Sequence, residues 1–581
     1  MTRDAALKDL RDNPRMQVLV IGGGVNGAAA FRDLALQGVD CVLVDAGDWC
    51  AGTSAAPSRL IHGGLKYLET GEFRLVAEST EERNLLLRNA PHYVRPLRSV
   101  VPIHSFFGGL AASLRRFFGG KAEMVDRGLL IVELGMVLYD VFGTRHRAMP
   151  RHRFALRRKV RRTFPRINRS VVATATYYDA RITQAERLVF ELVDDGRRAH
   201  PGARAINYLA ATGFAEGRVR LTDRRTHAVI EVQPEIIVNA AGAWIDRVNQ
   251  ALTHPTRYIG GAKGSHVVLD NPELRAQLQD QMIYYGGSDG RVCLVYPFFD
   301  HVLLGSTDIP IADPDTAVCE ADEIAYMLQT LREVFPDIAI TPEQVIYHYA
   351  GVRPLPQSDA ANPGEVTRDH SLPQDRIAAL PIYSMIGGKW TTFRAFAAET
   401  TDTILATLGR QRRQSTVFEP IGGGRGFPQS DRQRAGWIAG FSSQYGMTAA
   451  QSEILLDRYG NAAHRIAQAG GKALSDRLAS LPDYSLGEIQ ALIRDEQVVT
   501  LADILFRRTS IAMAGRLSLA VIEELAEIAA GAFNWTADEC AREIEATLTL
   551  ARDRHGVRLP ARAITSVRPD GDGEWTAAST S

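Results

Sequence analysis

Two short apolar runs, Val18–Ile21 and Cys41–Val44, stand on either side of a glycine turn and a run of small residues. An apolar run of about four residues closed by glycine fits a strand buried on both faces, as in a parallel sheet. Ala28–Gln37 between them reads as a helix, so residues 16–45 predict a strand–turn–helix–strand unit. Further on, Ile236–Gly242 (IIVNAAG), Ser265–Leu269 (SHVVL) and His301–Asp308 (HVLLGSTD) are short β-branched runs in a mixed α/β stretch over 171–400. A glycine-rich break, IGGGRGF at 421–427, ends it, and residues 430–555 carry helical periodicity with many Arg–Glu pairs and few strand signals. The longest apolar stretch, Gly128–Gly143, includes Glu133 and Asp140. A spanning helix needs about 20 mostly apolar residues, more than this stretch offers, so a buried or interfacial helix is expected there.

From these patterns the fold class is α/β. A Rossmann-like nucleotide-binding domain is expected to be interleaved with a mixed or antiparallel-sheet domain and followed by an all-α domain. Residues 1–15 read as a polar leader. Residues 16–100 form the cofactor core, completed by about 171–250 and 345–410. Residues 104–170 read as an insertion, 251–345 as mainly substrate domain, 425–556 as the helical domain and 557–581 as a disordered tail.

The glycine turn carries chemistry. Gly22, Gly24 and Gly27 fit GxGxxG, with Asn26 inside it. The first glycine makes the turn, the second admits a pyrophosphate, and the third lets helix and strand pack closely. Asp45 ends the second run, at the spacing beyond Gly27 where a carboxylate should accept the ribose hydroxyls. The fingerprint leaves FAD and NAD both open, and its place near the start of the chain favours FAD.

Downstream motifs resemble the aerobic, respiratory FAD-dependent glycerol-3-phosphate dehydrogenases. The segment Thr53–Glu69, TSAAPSRLIHGGLKYLE, resembles a TSxxSxLIHGGLRYLE stretch. Val238–Trp244, Lys263–His266, Gly305–Asp308, Gly351–Leu355, Thr367–His370, Gly387–Arg394 and Phe506–Thr509 follow in the family's order, over about 16–540. Lys66 stands where the family usually has Arg, keeping the charge but losing the bidentate fork. Pro57 replaces a small residue.

The resemblance implies that Lys66, Tyr67, Arg353, Arg368 and Lys389 surround the substrate phosphate or glycerol oxygens. His266 and Arg353 are implied candidates for assisting deprotonation of the C2 hydroxyl. An Arg side chain holds its proton too firmly to act as a base, so Arg353 is expected to position and to stabilise charge. The cofactor contacts implied are Thr53, Ser54, Leu60, His62, Gly63, Ala241, Gly242, Asp308, Gly388, Lys389 and Thr391, beside the fingerprint residues. The activity implied is oxidation of glycerol 3-phosphate to dihydroxyacetone phosphate by FAD, with a membrane quinone as acceptor. An oxidase using O2, a related amine or hydroxy-acid oxidoreductase and a silent FAD-binding scaffold are the alternatives. A homodimer is left open, and no metal site is expected. No EF-hand loop is present, so calcium regulation is not expected.

Composition narrows the partners. Lys plus Arg and Asp plus Glu are both 67, so the net charge is zero and a generally basic nucleic-acid binder is not expected. Five scattered cysteines without a CxxC give neither a disulfide framework nor a zinc site. Residues 1–15 have no apolar core, so no secretory signal is read. The neutrality hides a segregation. Residues 145–169 carry 11 Lys or Arg and no acidic residue, leaving the remainder at −11. Just upstream, Phe106, Phe107, Leu110, Leu114, Phe117 and Phe118 interleave with Arg115, Arg116 and Lys121. Aromatic beside basic suits an interfacial segment on anionic lipid. The expected location is cytoplasmic, peripheral on the inner face of the cytoplasmic membrane through about 104–170.

Overall fold

The computed structural model describes residues 2–65, 72–105, 129–146, 148–286, 291–358 and 368–559. Lys66, Tyr67, the aromatic stretch from Phe106 to Lys121 and most of the expected tail lie outside them.

Strand Arg15–Ile21 is the centre of a parallel sheet. It pairs with Val229–Asn239 on one side and Cys41–Val44 on the other. Leu380–Ser384 joins beyond Val229–Asn239, and Arg204–Ile206 beyond Cys41–Val44, both parallel. Alternate residues serve opposite faces. Val18 and Val20 enter the core with helix Val25–Leu36, while Leu19 and Ile21 enter a second core with Ile237 and Ile382. The expected buried parallel strand is therefore found. An antiparallel meander, Leu209–Ala215 and Arg218–Asp223, pairs onto the start of Val229–Asn239.

Residues 3–12, expected to be part of a polar leader, form helix Arg3–Asp12, capped by the Thr2 hydroxyl. Its buried Ala6, Leu7 and Leu10 pack on the Leu19–Ile21 face, and Arg3 pairs with Asp223 at 3.0 Å.

The second sheet is almost wholly antiparallel. Its strands run in the order Ile309–Pro310, Ile259–Leu269, His301–Gly305, Val292–Phe298, Gln281–Gly286, Val94–Ile103, Ala173–Ile182 and Leu60–Ile61. Val345–Pro356 also pairs with Ile259–Leu269, and only the pairing of Gln281–Gly286 with Val94–Ile103 is parallel. This redraws the expected boundaries, which place Leu60–Ile61, Val94–Ile103, Ala173–Ile182 and Val345–Pro356 in the cofactor core. Alternation shows that a strand has a buried face, and it carries no information about which sheet the strand joins.

Helices from Asp431 to His555 cover one face of the second sheet, with Val268, Tyr347 and Tyr349 in a common core with Leu492, Ile504 and Leu525. Helix Ala321–Val334 packs against its other face. Gly128–Gly143 is represented by helix Leu129–Phe142, with Met136 and Tyr139 buried and Val137 and Val141 exposed.

Candidate active site

The site is assembled between the two sheets. On the first-sheet side, Gly22 has φ +112°, and a Cβ there would stand 2.5 Å from the Ala240 carbonyl oxygen. A Cβ on Gly27 would stand 1.9 Å from the Gly22 oxygen, so helix and turn touch only because both residues are glycine. Helix Val25–Leu36 starts at Gly24 with neither a side-chain cap nor an acidic residue in its first turn, leaving its positive end available for an anion. The Ser54 hydroxyl accepts from Val25 N at 3.0 Å, which ties the 53–55 turn to that helix end. Asp45 accepts from Gly23 N at 2.6 Å and Gly47 N at 2.7 Å, while burial raises its pKa to about 6. Asn26 donates to the Gly387 carbonyl at 3.2 Å, and its buried Oδ1 has no partner among the described residues.

These features fit a dinucleotide flavin: a helix end whose only side-chain partner among the described residues is the Ser54 hydroxyl, a turn in which Cβ atoms are excluded, a carboxylate at the second strand's end, and an orphaned buried amide oxygen. Ala241 and Gly242 follow strand Val229–Asn239 and face the same turn, since the Cβ position of Gly22 also lies 2.8 Å from Ala241 N. A Cβ on Gly388, at φ +86°, would stand 3.0 Å from the Asn26 amide nitrogen.

The 53–63 segment joins the two sheets. Thr53 donates to the Val352 carbonyl at 2.6 Å, and Trp390 to the Ser54 carbonyl at 3.2 Å. Leu60 opens strand Leu60–Ile61, buried against the C-terminal helices. The Thr391 hydroxyl bridges the backbone N–H and carbonyl of His62, each at 3.1 Å. Gly63 N donates to the Tyr139 hydroxyl and to Asp179, and Asp179 also takes Tyr139 at 2.5 Å and Arg83 at 3.1 Å. Burial lowers His62 to about 4, with Lys389, Arg83 and Arg368 adding to the effect against Asp179.

On the second-sheet side, Asp308 bridges two cations, Arg353 at 2.9 Å and Arg368 at 3.1 Å. Asp308, expected among the cofactor contacts, is the common partner of the two expected substrate arginines. Arg353 also donates to the Thr307 carbonyl and the Ser306 hydroxyl. A Cβ on Gly264 would stand 2.3 Å from the Arg353 guanidinium, so a side chain there would displace the guanidinium from its present position. Lys389 donates to the Ser79 hydroxyl at 3.1 Å, and burial lowers it to about 8. His266 lies on the same sheet face as Arg353, four residue pairs along, with Nε2 at 2.8 Å from the Ser58 hydroxyl and its ring stacked on Tyr349. Burial, then Arg353 and Arg59, lower it to about 3, so the imidazole is neutral. Lys263 of the same motif points the other way, into Glu320 and Glu323.

Arg353, Arg368, Lys389, His62 and His266 are thus brought into one region, beside the expected cofactor turn. Lys66 and Tyr67 fall outside the described residues. Ser58 belongs to a recognised motif, which is the one signal that could have drawn notice to its hydroxyl. Asp179, Tyr139 and Ser79 carry no motif signal, because the motif residues they touch, Gly63 and Lys389, lie 76 to 310 residues away.

The sequence profile of the family described as FAD dependent oxidoreductase matches residues 17–367. That of the C-terminal domain of alpha-glycerophosphate oxidase matches residues 415–540. The glycerol-3-phosphate dehydrogenase of a Synechocystis species is 31% identical, covering 92% of this chain and 96% of the relative. The aerobic glycerol-3-phosphate dehydrogenase of Staphylococcus haemolyticus is 26% identical, over 91% and 93%. The solved structure of the glycerol-3-phosphate dehydrogenase from Bacillus halodurans complexed with FAD aligns with a TM-score of 0.73 at 22% identity, covering 95% of this chain and 97% of that one. The fold is therefore shared along nearly the whole length.

Proposed function

Because the chain belongs to the FAD-dependent oxidoreductases, in the glycerol-3-phosphate dehydrogenase and oxidase family, we propose that it oxidises sn-glycerol 3-phosphate to dihydroxyacetone phosphate and passes the electrons to a membrane quinone. The observation that carries the substrate is the cationic group of Arg353, Arg368 and Lys389 on one side of the cofactor turn. A phosphate dianion needs such a group in a partly desolvated site, and arginine forks give it direction.

FAD, when bound, supplies the hydride acceptor. The helix end at Gly24 would receive its pyrophosphate, Asp45 would accept from its ribose, and the His62–Gly63 backbone would support its ring system. Thr391, Asp179 and Tyr139 hold that backbone in place. Arg353 and Arg368 would orient the substrate and stabilise negative charge on its C2 oxygen as the C2 hydroxyl proton is released to water and the C2 hydride is given to the flavin. Asp308 keeps the two guanidinium groups apart and in register. A His266 side chain held near pKa 3 is a poor standing base at neutral pH. It serves as a neutral hydrogen-bond partner that fixes Ser58.

The acceptor is assigned to the membrane on surface chemistry. Val137 and Val141 are 44% and 58% exposed on helix Leu129–Phe142. Phe73, its ring centroid 6.2 Å from that of Phe142, is 46% exposed, and Leu156 is 61% exposed. Leu156 leads directly into the exposed basic helix Arg157–Thr163. Among the described residues no helix is long and apolar enough to cross a membrane, so the contact proposed is peripheral, with anionic lipid on the cytoplasmic side.

Anaerobic addition of glycerol 3-phosphate to the FAD-loaded protein is expected to bleach the flavin absorbance. Subsequent addition of a soluble quinone is expected to restore it much faster than air does. Absence of bleaching sinks the substrate assignment. Rapid reoxidation by O2 with stoichiometric peroxide replaces the quinone reading with that of an oxidase.

A further inference from the structure

A buried charge cluster lies outside the substrate cleft, where the C-terminal helices meet the loop that follows Cys41–Val44. Asp48 in that loop receives both ends of the Arg508 fork, at 2.6 and 2.8 Å, and the two side chains are 0% and 1% exposed. Arg507 approaches the same carboxylate, its buried Nε 3.6 Å away and without a hydrogen-bond partner among the described residues. Neighbouring contacts tie the same two parts. Trp49 donates to Gln497 at 3.2 Å, Asn207 bridges Asp48 and the Gln497 carbonyl, and Gln497 donates to the Ala205 carbonyl. Tyr208 donates to Asp503 at 2.6 Å, and Arg508 Nε to the Glu496 carbonyl at 3.0 Å.

The loop held in this way is the one that carries Asp45 and supports the glycine turn. Gly23 donates to Asp45, and Cys50 N donates to the Gly23 carbonyl at 3.0 Å. The Trp49 ring lies so close that a Cβ on Gly23 would stand 2.4 Å from it. The turn, the loop and the C-terminal arginines form one continuous buried chain of contacts. Arg507 and Arg508 face the loop together because Ile504–Arg508 winds as a π-helical turn, a local distortion often found at functional positions.

We propose that the C-terminal domain is part of the FAD site: through Arg508 and Asp48 it fixes the loop that receives the adenosine half of the cofactor, so that FAD retention and docking of the C-terminal helices are thermodynamically linked. This rests on Asp45 as the ribose acceptor. Arg508 is a positioning residue in this scheme and touches no reacting atom. Removing one partner of a buried fork leaves an uncompensated charge beside the loop, and Lys in place of Arg keeps the charge while losing the two-point hold. Linkage is reciprocal, so the cofactor must in turn stabilise the docked helices.

Full-length apoprotein is titrated with FAD, following flavin fluorescence, for wild type, Arg508→Lys, Tyr93→Phe and Asp45→Asn. Arg508→Lys is expected to weaken FAD about tenfold or more, within the usual span of coupling energies, with an unchanged far-ultraviolet circular dichroism spectrum. Tyr93→Phe removes another buried contact to the C-terminal domain, the 2.8 Å hydrogen bond to the Arg458 carbonyl. It is expected to leave FAD affinity within about twofold, since the Arg508–Asp48 fork stays in place. In limited proteolysis, FAD is expected to protect the connection between the Phe393–Thr407 helix and the C-terminal helices in wild type but not in Arg508→Lys. FAD affinity unaltered by Arg508→Lys, or wild-type cleavage indifferent to FAD, overturns the proposal. If Arg508→Lys does not accumulate, Gln497→Met, which removes from the C-terminal side the hydrogen bonds to Trp49 and to the Ala205 carbonyl, takes its place with the same two outcomes. An unaltered affinity in Asp45→Asn removes the ribose assignment and leaves the linkage to be judged on Arg508 alone.

Discussion

Arg353 and Arg368 share a single carboxylate, and that arrangement sets what their loss should do. Arg353→Ala and Arg368→Ala are each expected to raise KM for glycerol 3-phosphate by at least about tenfold, the value of one charge-assisted hydrogen bond, while the flavin spectrum of the purified protein stays that of the bound cofactor. Steady-state kinetics beside an absorbance scan decides it. Lys389 gives a pH dependence. Its ammonium is lost as pH rises through about 8, so kcat/KM should be level below that value and fall above it. Lys389→Arg keeps the charge and should move the alkaline limb out of range, which a pH series from 6 to 10 would reveal. At this scale the sequence is most legible where a residue sits in a motif: the arginines, Lys389, Thr391 and the fingerprint glycines can all be named from it. It is silent on Asp179, Tyr139 and Ser79, which act by touching motif residues from distant segments. The motif around Asp308 likewise does not show that Arg353 and Arg368 converge on it.

Among the elements, the glycine turn with its two flanking strands is readable, since a buried parallel strand and its close-packed helix need that composition. Helix Arg3–Asp12 is not. Ala6, Leu7 and Leu10 span barely more than one turn, too short for a periodicity to stand out among charged neighbours, yet Leu10 is fully buried on the sheet. Leu10→Ala is expected to destabilise the protein by about 2–4 kcal/mol, the cost of an uncollapsed cavity under a helix, read as a lowered midpoint in urea. Val94–Ile103 and Ala173–Ile182 are legible as strands without being legible as partners. They pair with each other over their whole lengths, across a separation that alternation cannot bridge.

For the whole molecule, three imidazoles are buried in a neutral state: His62 at about 4, His266 and His555 at about 3. Each binds a proton in the unfolded chain below about 6.5 but not in the folded one until its lowered pKa is reached. Their contribution to stability is therefore full above about pH 6.5 and is lost as pH falls. Asp45 and Asp503, both raised to about 6, act in the opposite sense over the upper part of that window. His555→Gln, which cannot take up a proton, should make the pH dependence of unfolding shallower between about 6.5 and 3. Urea titrations at intervals across that range measure it. The segregated charge read from the sequence also acts at this scale. If residues 145–169 meet anionic lipid, co-sedimentation with phosphatidylglycerol vesicles should be strong at low salt and fall severalfold by about 0.5 M, where screening shortens to a few ångströms.

The parallel sheet has a consequence for how the chain is made. Its adjacent strands are Arg15–Ile21, Val229–Asn239 and Leu380–Ser384, so the nucleotide-binding half cannot be completed until the last of these has left the ribosome. At ordinary elongation rates of about 5–20 residues per second, the glycine turn waits about 20–80 s for its outermost parallel neighbour. For about the last 7–30 s of that interval, once it has been made, the apolar edge of Val229–Asn239 is open to pairing with other nascent chains. Production at lowered temperature or with abundant chaperone should therefore raise the soluble yield more than added riboflavin does, because the vulnerable species precedes any site that could take up the cofactor.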